Sequence, residues 1–438
     1  MILCICGLRR LMQLRVHYRN NWNPYFLLFA QSVILLFVFF TSFVLWSEIL
    51  LTNEANIVKE FQLKTEGTPK EIHNCSLELY CDCNTTQGCP YHDWELFSVD
   101  YQEMIKKLKI FVYPENDNSS PLARIFLPHP NLMDPKIGNY FSEHAFKIAL
   151  VDSSLVTANP EEAHFFYMPF SINVMRNHPH VHSESAISKF VANYVTRISS
   201  RLPFWNASGG ADHFFVCCHS VGRDAASLHF GLRNNAIQIT CSSNYFQRLF
   251  SAHKDIALPQ IWPRPHDESL NPPNARNKLA FFAGRVQNSA IRQELLNLWV
   301  NDTSFSIFSG PPSFPYEEGF RTSKYCLHVK GYEVNTARVM DAIHFGCIPV
   351  LISNYYDLPF ANVLDWSKFS IIVNQRDIAL LKHILTSVSE QMYTSLYRNL
   401  VMVRKHFRWH TVPVDYDAFY MTVYELWRRR GLLRIRTL

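Results

Sequence analysis

Glycine is scarce in this chain, 14 of 438 residues, and no segment repeats another. These two absences exclude collagen-like, low-complexity and solenoid classes. A large excess of one charge is lacking as well, since the net value is +5. Nine arginines sit at the ends: Arg9, Arg10, Arg15 and Arg19 near the start, and Arg428, Arg429, Arg430, Arg434 and Arg436 near the finish. The body between them is therefore slightly acidic. A nucleic-acid partner is excluded on that pattern, because it requires basic residues spread along one face with aromatic neighbours. Also missing is a pair of C-x-x-C knuckles. Cys75, Cys81, Cys83 and Cys89 crowd together without the spacing of a zinc site, so disulfides of unreadable connectivity are the expected use.

What remains is a chain nearly half hydrophobic and long enough for two cores. Tyr25 to Trp46 is uncharged, mostly apolar, and just long enough to span a bilayer as a helix. Arginines precede it and Glu48 and Glu54 follow it, so the positive-inside rule places 1–24 in the cytosol and the rest in a lumen. No small-residue cleavage site follows, which favours a single-pass type II anchor over a cleaved signal. Residues 47–108 are polar and low in apolar periodicity, as in a stem. Asn74, Asn84, Asn118, Asn206 and Asn301 each open an N-x-[ST] triplet on the lumenal side and are the expected glycosylation sites. Nine cysteines lie in the lumenal part, so at least one is free or paired between chains. Cys326 and Cys347 fall in or beside core strands and read as small buried hydrophobes.

Strand and helix signals alternate from Lys109 onward. KIFVYP at 109–114 and AHFFYMPF at 163–170 read as buried strands, Ile187 to Ile198 as a helix, and His213 to Cys217 as a further strand. Such alternation predicts a parallel sheet with helices on its faces. Pro263, Pro265, Pro272 and Pro273 make a stiff crossing, after which KLAFFAG at 278–284 starts a second sheet. The expected layout is 109–265 as the first domain, 266–412 as the second, and 413–438 as a terminal helix. Its inner face would carry Ala418, Phe419, Thr422, Val423, Leu426 and Trp427.

The most informative stretch runs from Ser323 to Phe360, SKYCLHVKGYEVNTARVMDAIHFGCIPVLISNYYDLPF. Tyr325 to Val329 suits a buried strand, Asn335 can cap a helix carrying Val339, Met340 and Ile343, and Ile348 to Ile352 is apolar throughout. In a β-α-β unit the ligand crevice lies beyond the carboxyl end of the first strand. Gly331, Tyr332, Glu333, Asn335, Thr336 and Arg338 are thereby expected around one volume. A cation in the first helical turn opposes the helix dipole, at a cost of roughly 0.3 to 1 kcal/mol, and an anionic ligand would reverse that sign. The alternative is an Arg338 that leans to Asp341 or to solvent.

These residues carry a resemblance. S-K-Y-C-L, G-Y-E, the following Arg338, C-I-P-V and L-P-F resemble in order the signature of the exostosin-like glycosyltransferases, family 47, plant cell-wall branch. Lys254, Asp255 and Pro259 are similar to a further family element, and Arg285 and Arg292 follow the family-like F-A-G entry to the second domain. The resemblance implies an α/β fold of GT-B type, with two Rossmann-like domains facing a cleft. It also implies a Golgi membrane address, inversion at the anomeric carbon without metal, and no cofactor beyond a nucleotide-sugar substrate. Uridine diphosphate is the expected carrier and a cell-wall polysaccharide the expected acceptor. Association with itself or with other Golgi transferases stays open.

On this reading Arg285, Arg292, Ser323, Gly331, Glu333 and Arg338 bind the donor. Asp415-Tyr416-Asp417 is formally a D-x-D, but beside a helix start its aspartates read as caps rather than as metal ligands. Candidate bases for the acceptor hydroxyl are Asp212, His213, His219 and Asp224, with Asp212 and His219 foremost. Plant relatives show C-H-D-W where this chain has Cys218-His219-Ser220-Val221. The missing acid motivates a second reading, a catalytically silent lumenal partner of an active transferase. A third, a lumenal glycan-binding protein, would have no use for a nucleotide.

Overall fold

The computed structural model describes residues 88–115, 121–127, 138–246, 250–266, 269–287 and 289–433. The anchor reading at 25–46, most of the stem, and Asn74, Asn84 and Asn118 lie outside the described residues, whereas Asn206 and Asn301 are exposed. Among the described residues no helix is long and apolar enough to cross a membrane.

Among the described residues eleven short strands form two sheets, and every pairing between them is parallel. The first sheet holds β1 (Ile110–Val112), β2 (Val156–Thr157), β3 (Phe165–Tyr167), β4 (His213–Cys217), β5 (Ile237–Thr240) and β6 (Ile256–Ala257) in the order β2-β1-β3-β4-β5-β6. The second holds β7 (Lys278–Ala283), β8 (Phe305–Phe308), β9 (Ser323–Val329), β10 (Ile348–Ile352) and β11 (Ile371–Ile372) in the order β11-β10-β9-β7-β8. Successive side chains alternate between sheet faces, so Phe214 and Val216 enter one core while Phe215 and Cys217 enter another. Both faces are covered, which is why these strands are apolar at nearly every position.

The prolines from Pro263 to Pro273 lie between β6 and β7. The terminal helix, Ala418–Leu433, returns to the first sheet's side. Phe419 packs on Phe146 with ring centroids 5.5 Å apart, Trp427 Nε1 donates to Asp100 at 2.9 Å, and the Arg429 guanidinium donates to the carbonyls of Lys254 and Asp255.

Three sequence expectations change. The stem does not reach residue 108, because helix α1 (Trp94–Lys107) belongs to the body. Its Phe97, Tyr101 and Met104 are buried; Tyr101 stacks on Tyr416, and Phe97 meets the rings of Tyr416 and Tyr424 edge-on, rather than standing in solvent. Polar residues on its outer face hid that inner stripe. Cys326 and Cys347 are bonded to each other, as are Cys218 and Cys241, and among the described cysteines Cys217 is free and buried. Finally, the helix after β9 runs Arg338–His344 and begins after Ala337, with no side-chain cap. Asn335 is buried instead, and its amide donates to Gln260 Oε1 at 2.6 Å.

Candidate active site in the cleft

The carboxyl ends of the two sheets border a cleft of about 970 Å³. In the second sheet the chain leaves β7 toward β8 and β9 toward β10, so the strand order switches direction between β7 and β9. A crevice opens at such a point because neighbouring connections diverge to opposite faces. Gly284 and Arg285 follow β7, and Tyr332, Glu333 and Asn335 to Arg338 follow β9, and these residues line the crevice, with Gly331 just behind them and not in the wall.

Two buried or half-buried guanidiniums meet here. Arg292, on helix α2 (Ala290–Trp299), is 8% exposed; its Nε donates to the carbonyl of Val329 at 3.0 Å and its Nη1 to that of Arg285 at 2.9 Å. Arg338 opens helix α3 (Arg338–His344), and its Nε donates to the carbonyl of Ala283 at 3.1 Å. Both lie over the ring of Phe282, at 5.7 and 5.1 Å from its centre. Burial, and then the like charge of Arg338, push Arg292 down to about 10.

Among the described residues neither arginine forms an ion pair with a carboxylate. Asp341, one turn beyond Arg338, is taken by Arg264 at 3.0 Å, and Arg264 also holds Glu317 at 2.9 Å. Two like charges pressed together without a counter-charge are unfavourable, and an anion between them removes the cost. Helix α3 has only seven residues, so the guanidiniums rather than its dipole carry this argument.

The backbone makes room for them. A Cβ on Gly331 would stand 2.8 Å from Arg292 Nη2, and one on Gly284 would stand 2.6 Å from Arg338 Nη2. A hydrogen-bonded chain then fixes the loop: Arg338 Nη1 donates to Thr336 Oγ1 at 3.2 Å, the Thr336 hydroxyl to His328 Nδ1 at 3.1 Å, and His328 Nε2 to the carbonyl of Val334 at 2.7 Å. Burial drives His328 down to about 3, so the ring is neutral, as this donor pattern requires. Sequence reasoning passed over His328; the signal available was a lone imidazole inside the apolar run of β9.

The first sheet contributes His219, Ser220 and Tyr140 to the opposite wall. His219 stacks on Tyr140 with centroids 4.8 Å apart, and burial, followed by the charge of Arg176, lowers its pKa. Its Nδ1 accepts from the backbone N–H of Val221 at 3.2 Å, so in the neutral ring the proton sits on Nε2. That tautomer offers a donor to the cleft, not the lone pair a general base needs.

Glu333 crosses between the halves. Its Oε2 accepts from Arg223 at 3.2 Å and from the Ser242 hydroxyl, while its buried Oε1 has no partner.

Ser323, Asp212, His213 and Asp224, expected site residues, are not brought to the cleft. Ser323 is fully buried at the amino end of β9, the whole strand away from Gly331. Asp212 precedes β4, while His219 follows it, so the strand holds them at opposite edges of the sheet. There Asp212 accepts from the Ser208 hydroxyl and from His213 Nδ1 at 2.6 Å, and His213 Nε2 meets the Tyr113 hydroxyl at 2.6 Å. Asp224 sits in a short helix beyond Ser220 and is not in the cleft wall. Asp417 accepts from the backbone N–H groups of Val414 and Tyr420 and from His410, while Asp415 accepts from Tyr101. The bond from Tyr420 makes Asp417 the cap of the last helix, whereas Asp415 is not a cap but an acceptor for the Tyr101 hydroxyl of α1.

The model of the Exostosin GT47 domain matches residues 104–388. A probable glycosyltransferase of Arabidopsis thaliana is 36% identical over 361 residues, 80% of this chain and 67% of its own length. A second from the same plant is 34% identical over 384 residues, 85% of this chain and 78% of its own. A probable glucuronosyltransferase of Oryza sativa subsp. japonica is 27% identical over 305 residues, 65% of this chain and 69% of its own.

Proposed function

The chain belongs to the exostosin GT47 family of glycosyltransferases, and from that premise we propose that its cleft transfers a sugar from a uridine diphosphate donor to a plant cell-wall polysaccharide. The observation that carries this reading is the pair Arg292 and Arg338, two adjacent guanidiniums on one aromatic ring with no carboxylate between them. A nucleotide diphosphate supplies the missing negative charge. As the bond from the anomeric carbon to the phosphate oxygen breaks, its electron pair stays on the diphosphate, and fixed cations at that place stabilise the charge that grows there. The acceptor hydroxyl attacks from the opposite face, inverts the centre and releases its proton to water in the open cleft, leaving the glycoside and uridine diphosphate. His219 lies on the acceptor side, where its Nε2–H orients that hydroxyl. Glu333 joins the donor loop to Arg223 and Ser242 of the first domain, so donor contacts and the acceptor wall are mechanically connected.

In this proposal the two sheets form a GT-B pair, the reaction uses no metal, and the enzyme is anchored as a single-pass type II protein in the Golgi membrane. Because a rice relative is named a probable glucuronosyltransferase, uridine diphosphate glucuronate is the first donor to try. Ser220 lines the cleft where plant relatives carry an acid, and this favours the second reading, a silent partner that lacks turnover.

Calorimetric titration of the full-length protein in detergent with uridine diphosphate tests the proposal. Binding should survive a metal chelator. Arg338→Ala should weaken it by about 1.5 to 3 kcal/mol, the scale of a hydrogen bond to a charged group. A folded protein that binds no nucleotide sinks the transferase reading in favour of the silent partner, and binding that requires metal sinks the metal-free mechanism.

A further inference from the structure

A second crevice lies in the first sheet. The chain leaves β1 toward β2 and β3 toward β4, so the strand order switches direction between β1 and β3. A cavity of about 140 Å³ sits at that place, walled by Val112 and Tyr113 at the end of β1 and by Tyr167 and Pro169 at the end of β3. It shares no lining residue with the cleft. Phe126 and Lys147 complete the walls that matter here.

Lys147 is 5% exposed, and among the described residues its Nζ has no hydrogen-bond partner. Among the described residues no carboxylate stands within ion-pair distance of it. Glu143, one helical turn before it, has its oxygens committed to the Ser171 hydroxyl and to the backbone N–H groups of Asn173 and Cys218. Glu115, also in the wall, is paired with Arg197. A buried ammonium without an acceptor is costly, and a ligand that brings an acceptor relieves the cost.

We propose that this cavity binds a monocarboxylate, its oxygens accepting from the Lys147 ammonium and its ring-sized body lying against Phe126 and Tyr167. The size agrees, since an apolar cavity of roughly 150 Å³ admits a benzene ring. Two sources share this chemistry: an aromatic acid, and the carboxylate end of an acidic sugar. Burial, opposed by the charge of Glu143, lowers the free lysine to about 7. The charged groups around it are Glu143 on its own helix and Glu115 beyond β1; Tyr113, whose hydroxyl is bonded to His213, and Tyr167 also line the cavity, and burial keeps both protonated. The ammonium is the form that attracts an anion, so affinity must fall as pH rises past neutrality.

The test is a calorimetric titration of the full-length protein in detergent at pH 6 and pH 8. The probes are benzoate and glucuronate, with benzyl alcohol and glucose as neutral counterparts. At least one acid should bind, about tenfold more tightly at pH 6 than at pH 8, and its neutral counterpart should not. Lys147→Met, checked for folding by thermal melting, should weaken that binding at least tenfold. Binding of benzoate alone assigns the site to an aromatic acid, and of glucuronate alone to an acidic sugar. Should Lys147→Met fail to fold, Val151→Phe fills the cavity from a residue that is 59% exposed and should exclude the same ligand. Absence of acid binding, or acid binding that neither substitution weakens, overturns the proposal.

Discussion

Arg338 acquires its meaning from what its neighbours are already doing. Asp341 is within reach in sequence, yet Arg264 occupies it, and Thr336 and the carbonyl of Ala283 orient the guanidinium without neutralising it. His328 beneath the loop has a measurable signature. Its folded pKa, driven down to about 3 by burial, lies below the ordinary value of 6.5. The unfolded chain therefore takes up a proton first, so stability is full above about pH 6.5 and is lost as pH falls toward 3. Between pH 7 and pH 5 this single ring should remove about 2 kcal/mol. Urea unfolding at the two pH values should show that loss, with a shallower pH slope in His328→Gln. An unchanged slope would mean that His328 is protonated, or solvent-reached, in the native state.

At the scale of the element, the unit from β9 to β10 is tied at its base. Cys326 lies within β9 and Cys347 immediately before β10, so their bond closes a loop of 21 residues containing the whole donor segment and α3. Closing a loop of that size restricts the unfolded chain and is worth about 3 kcal/mol. Cys347→Ser, unfolded in urea under oxidising conditions, should lose about that much, and uridine diphosphate affinity should fall with it as the loop loosens. The spacing of apolar residues located both strands and the helix between them. It misjudged the helix start, because Asn335 is a good cap by type but is drawn away by a buried hydrogen bond to Gln260, 75 residues earlier in the chain.

For the whole molecule, the terminal helix is the brace. It follows the second sheet in the chain, yet Trp427 and Arg429 bond to Asp100, Lys254 and Asp255, which all precede that sheet. Trp427 is 2% exposed. Replacing such a buried ring by alanine costs about 3 to 5 kcal/mol. Trp427→Ala should therefore lower the thermal midpoint, and the two halves should no longer melt in one transition. A retained single transition would show that the helix adds stability without coupling them.

The amino-acid sequence by itself determined β1, β3, β4, β7, β9 and β10, because a parallel strand covered on both faces must be apolar at almost every position, whereas the shorter β2, β5, β6, β8 and β11 were not legible in it. It thereby determined two parallel-sheet α/β halves, and it placed Gly331, Glu333 and Arg338 after β9, where a ligand crevice is expected. Only the tertiary structure decided which polar residues share a volume. Ser323 and Gly331 bound the same strand, as Asp212 and His219 do, and a strand's extended length puts the two ends at opposite edges of the sheet. Nor could local pattern show that α1 packs on the last helix, that Glu333 meets Arg223 110 residues earlier, or that Lys147 is buried without a partner. Those facts depend on contacts between segments far apart in the chain, which are set by packing rather than by periodicity.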